Sequence, residues 1–65
     1  MLNTQTELLK IGNKIKKLRI KKGYKSHETF AYENGFSRVH YWRIENGKTN
    51  VTLKSIVDIL NIHKI

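Results

Sequence analysis

Residues 26–47 read SHETFAYENGFSRVHYWRIENG, and the two serines and two glycines in this stretch leave little choice of local structure. Ser26 is placed to cap a helix that carries Phe30 and Ala31 inward, and Gly35 is placed to end it. Ser37 then caps a second helix that turns Tyr41 and Ile44 inward before Gly47. Gly35 supplies the positive φ with which a chain can reverse direction within a three-residue turn. Ala31, four residues earlier, is small enough for the next helix to approach closely. The spacing predicts a helix-turn-helix, with helices over about residues 27–34 and 38–46 and Phe36 tucked under the turn.

The flanks predict two more helices. Thr4 and Glu7 have capping-box spacing, and Leu8, Ile11, Ile15 and Leu18 recur every three or four residues as one apolar stripe. Gly12 costs such a helix about 1 kcal/mol relative to Ala, so the start is expected at Thr4 or near Lys10. Residues 1–7 are therefore expected to include a frayed extension, with Gly23 as the carboxyl-terminal stop. Beyond a polar connection, Thr52 can cap a fourth helix with Leu53, Ile56, Ile59 and Leu60 inward, and Ile62 and Ile65 close the core. With no Pro, repeat or linker, the expected fold is all-α: one domain over residues 1–65, a compact bundle of four or five short helices.

Charge narrows the function. Thirteen Lys and Arg against five Asp and Glu give +8 and a pI near 10.1, which suits a polyanionic partner, either nucleic acid or an anionic membrane surface. The lysines of the first helix have a second reading as a solvated face. Without Cys or a His/Cys cluster, neither a disulfide framework nor a zinc site is expected, nor any cofactor. No apolar run approaches the roughly 20 residues of a membrane span, and the amino terminus lacks a secretory core, so a cytoplasmic protein is expected. Five scattered carboxylates and three separated histidines offer no nucleophile, base and orienter, so no enzyme is expected.

At 100° per residue, Tyr41, Ile44 and Glu45 share one side of the third helix, and Val39, Trp42, Arg43 and Asn46 the other. Arg43, with Arg38 at the amino-terminal end, suits a helix in the major groove of DNA, where Arg donates twice to guanine O6 and N7. Trp42 could touch thymine methyl groups, cover a dimer interface or pack on the following loop. His40 could reach a phosphate or stand solvated on the helix flank.

Taken together, Ile11-Gly12, Ile15, Leu18-Arg19, Gly23, Ser26, Glu28, Ala31, Gly35, Ser37, Ile44-Glu45, Gly47, Leu53 and Ile56 resemble the lambda-repressor/Cro-like, or XRE-type, helix-turn-helix family across residues 11–62. The resemblance implies a transcriptional regulator whose third helix enters the major groove of double-stranded DNA, usually as a homodimer on a pseudo-palindromic site. It implies base reading by Arg38, Val39 and Arg43, to which Trp42 is added, and backbone contacts by His27, where Gln is usual, and Lys48. Ser37, His40 and Lys25 join the backbone set, and Arg19 and Glu45 match a buried salt bridge.

Asn34, Tyr41, Trp42 and Val51 also depart from the family's usual residues. Many relatives dimerise through a fifth helix that would start beyond Ile65, which leaves helix 4, residues 61–65 or the amino-terminal extension as expected contacts, or else a weak or DNA-induced dimer. The family includes phage repressors, restriction-modification controllers and antitoxins, and the connection GKTNVTL resembles that of controllers. Two alternatives stay open: an antitoxin-type module with a toxin partner, and a cationic membrane-surface protein.

Overall fold

The computed structural model describes residues 2–64 and contains four helices: α1 (Thr4–Lys21), α2 (His27–Glu33), α3 (Arg38–Glu45) and α4 (Leu53–Ile62). No strand occurs among the described residues. Each helix begins where a short polar side chain can accept from an otherwise orphaned backbone N–H. Ser26 accepts from Glu28 and Thr29, Ser37 from His40 and Thr52 from Ser55. The start of α1 corrects the sequence expectation: Asn3, not Thr4, is the cap, its Oδ1 accepting from the Thr6 amide at 3.2 Å. Residues 4–7 are therefore helical rather than a frayed extension.

The first three helices end alike. The amides of Tyr24, Phe36 and Lys48 donate back to the carbonyls of Arg19, Ala31 and Arg43 at 3.1, 2.9 and 2.8 Å. In the helix-turn-helix this closure places Gly35 at φ +78°, a conformation that a side chain would strain. Asn34, just before it, donates its side-chain amide to the Phe30 carbonyl at 2.9 Å.

Ile15, Phe30, Ala31, Tyr41, Ile44 and Ile59 form the buried core, with Ile11, Tyr24, Phe36, Val51 and Ile62 packed around it. Phe30 is its hub: Tyr24 meets it edge-on at 5.1 Å, Tyr41 lies at 5.0 Å and His63 stacks nearly parallel at 5.5 Å. Among the described residues the Tyr41 hydroxyl has no hydrogen-bond partner, and burial, followed by the Glu45 carboxylate, raises its pKa so that the phenol stays neutral.

Two of the contacts between α1 and α3 set how the helices meet. Gly12 is buried, and a Cβ on it would clash with the carbonyl oxygens of Glu45 and Ile44, so only the absence of a side chain lets the backbones meet. Gly12 thus makes a close approach possible, where its helix propensity alone marks it as a weakness. Seven residues on, Arg19 donates from Nε and Nη2 to the two carboxylate oxygens of Glu45 at 2.7 and 3.2 Å, and from Nη1 to the Tyr24 carbonyl at 2.9 Å. Both side chains are only 4% exposed.

Helix α4 packs less completely. Ile59 is buried, but Leu53, expected inward, is 77% exposed. Six residues before Ile59, it lies about 120° around the helix from it, off the face that meets the core. Ile56 and Leu60 instead border an apolar groove of about 290 Å³ with Ile11 and Leu18. Ile65, expected to close the core, lies outside the described residues.

Three outcomes follow. Gly12→Ala, which helix propensity alone would favour by about 1 kcal/mol, is expected to destabilise by about 1–3 kcal/mol because the added methyl meets backbone; urea unfolding measures the sign. Arg19→Ala leaves Glu45 buried and unpaired and is expected to cost about 3–5 kcal/mol; an unchanged melting temperature would refute a structural role for the pair. Burial first, and the Lys22 charge second, depress the His63 pKa below 6.5. The unfolded chain then takes up the proton more readily, so this contribution is present above pH 6.5 and is lost as pH falls through the lower folded pKa. His63→Phe should keep the ring contact while flattening the decline in melting temperature between pH 7 and about 5.

Candidate nucleic-acid interface

Burying Tyr41, Ile44 and Glu45 obliges α3 to turn Val39, Trp42 and Arg43 toward solvent, and Arg38 is exposed as the first residue of the helix. Val39 is 51% and Trp42 42% exposed, which is high for apolar side chains on so short a helix. The turn at Gly35 brings the first turn of α2 beside the first turn of α3, and His27, Glu28, Arg38, Val39 and Trp42 line one open depression there. Cationic donors and apolar contacts thus share one surface, the combination needed to meet both phosphates and base edges.

Most of the expected residues fall on or near this surface. Arg43 is exposed and makes no ion pair among the described residues. His40 is exposed on α3, Lys25 just before α2 and Lys48 just after α3, while His27 is half-buried. The Ser37 hydroxyl accepts from the His40 amide at 3.3 Å, which leaves its proton free to donate outward. Trp42 stands beside Arg38 and Val39 rather than in the core. Asn46, placed by its helical angle among the outward residues, instead turns its amide back to the Trp42 carbonyl at 2.9 Å and ends α3.

The lysines of α1 divide from this set. Lys14, Lys17 and Lys21 flank Leu18, and Lys14 also borders the groove between α1 and α4. They widen the positive surface without entering the depression at α2 and α3. A feature absent from the sequence expectations is the ion pair between Arg38 Nη1 and Glu28 Oε2 at 3.4 Å, both ends exposed. Ten residues separate the two, and only the fold makes them neighbours. No group of three or more potential metal ligands occurs among the described residues, and no described helix is long and apolar enough to cross a membrane.

No protein-family model matches the chain. The control protein C.MunI from a Mycoplasma species is 45% identical over 51 residues, 78% of this chain and 69% of that protein. The crystal structure of the restriction-modification controller protein C.AhdI from Aeromonas hydrophila superposes with a TM-score of 0.81 and 33% identity, over 92% of this chain and 89% of that one. With the capped helix-turn-helix, the Arg19–Glu45 pair and the outward arginines of α3 already in place, the chain belongs to the Cro/C1-type, or XRE-type, helix-turn-helix regulators that include these controller proteins.

Proposed function

We propose that the protein is a sequence-specific double-stranded DNA-binding regulator of transcription and that it serves as the controller of a restriction-modification system. The observation that carries this reading is the outer face of α3, where Arg38, Val39, Trp42 and Arg43 stand exposed on a helix held rigidly from behind. Laid in the major groove, Arg38 and Arg43 donate to guanine O6 and N7, and Val39 and Trp42 contact thymine methyl groups. His27, Ser37, His40, Lys48 and Lys25 donate to phosphates and fix the register. The relatives' role as controllers favours this reading over the antitoxin and membrane-surface alternatives.

The working unit in this reading is a homodimer with its recognition helices about 34 Å apart, one turn of the duplex. Helix α4 suits the dimer face: Leu53 and Val57 are exposed, and Lys54 pairs with Asp58 at 2.7 Å, so the rim is nearly neutral. The lysine-lined side of α1 would repel a second copy. Bound to DNA in the cytoplasm, the dimer blocks polymerase or recruits it.

Selection from random DNA is expected to return a site with two related half-sites, bound by two chains. Arg43→Ala should lose about 1–3 kcal/mol on that site and relax preference at one base pair in each half. Uniform weakening on every sequence would refute base reading by Arg43, and one chain on an asymmetric site would refute the dimer.

A further inference from the structure

The Glu28–Arg38 pair sits at the edge of the proposed groove face, where a carboxylate is out of place. Its side chains are 57% and 66% exposed, so the pair adds little to stability. An unpaired anion there would oppose every phosphate it approached. Paired, it occupies one arm of the guanidinium: Glu28 accepts from Nη1 alone, which leaves Nη2 and Nε free along the opposite edge. Two donors on one edge are what guanine O6 and N7 require. The pair also neutralises Arg38 toward phosphate, which carries no sequence information.

We infer that Glu28 is a specificity-determining, positioning residue: it aims the free edge of Arg38 at a guanine and restrains Arg38 from binding phosphates indiscriminately. This rests on the DNA-reading role proposed above for α3.

The test compares the wild type, Glu28→Ala, Glu28→Gln and Arg38→Ala on the selected duplex, on its single-base variants and on a random duplex. Glu28→Ala is expected to lose about tenfold of the discrimination at the base pair that Arg38→Ala relaxes. Glu28→Gln, which keeps an acceptor for Nη1, should retain most of it. Both Glu28 variants should bind the random duplex more tightly, with a salt dependence steeper by about one phosphate contact. Their melting temperatures should match the wild type, which separates positioning from folding. Wild-type discrimination in Glu28→Ala, or no base pair relaxed in Arg38→Ala, would overturn the inference while leaving the regulator reading intact. A wild type without any preferred duplex would overturn both.

Discussion

The ion pair between Arg19 and Glu45 is the constraint on which the arrangement of α3 depends. Two full charges removed from water must satisfy each other, and the 2.7 and 3.2 Å bonds, with a third from Arg19 to the Tyr24 carbonyl, do so. Because Glu45 ends α3 and Arg19 lies in the last turn of α1, the pair fixes the rotation of α3 about its own axis. Once Glu45 points inward with Tyr41 and Ile44, helical geometry turns Val39, Trp42 and Arg43 outward. Gly12 sets the distance: backbone lies against backbone where α1 passes the end of α3. Orientation and spacing of α3 are thus set by two residues of α1, neither of which reaches its exposed face.

That division keeps stability and recognition apart. Phe30, Tyr41 and Ile44 are fully buried behind the turn, and the arginines in front of it make at most a weak exposed contact. Most side chains on the groove face can change without emptying the core, so site preference can vary on a constant scaffold. A protein with +8 charge attracts any polyanion. In the proposed reading, selectivity depends on withholding charge as well as offering it, and the carboxylate paired with Arg38 is a local way of doing so.

Much of the fold was legible because it is written in short-range chemistry. Ser26, Ser37 and Thr52 cap because a hydroxyl in extended backbone meets the amides two or three residues on, which nearby sequence suffices to dictate. Gly35 ends α2 for an equally local reason, its positive φ. The inward side of α3 followed from a three- and four-residue repeat. Leu53 misled because apolar character says only that a residue can be buried; the contact face of α4 is narrower than its apolar arc. The outward Asn46 bonds its own backbone, because an amide near a helix end can reach the carbonyl four residues back.

What required the tertiary structure is every feature that joins residues far apart in the chain. Propensity marks Gly12 as a weak point of α1; only the approach of Glu45, more than thirty residues later, turns it into a packing requirement. His63 stacks on Phe30 because the end of α4 returns to it, which partly shields the imidazole from water. Glu28 meets Arg38 because the turn at Gly35 lays two first turns side by side. Hydrogen bonds and dihedral preferences act over a few residues, so the chain alone specified the helices, the caps of α2, α3 and α4, and the outward face of α3. Close packing and the meeting of charges depend on how those helices are set against one another, and that setting determines which surface residues are free to read DNA and which are already engaged.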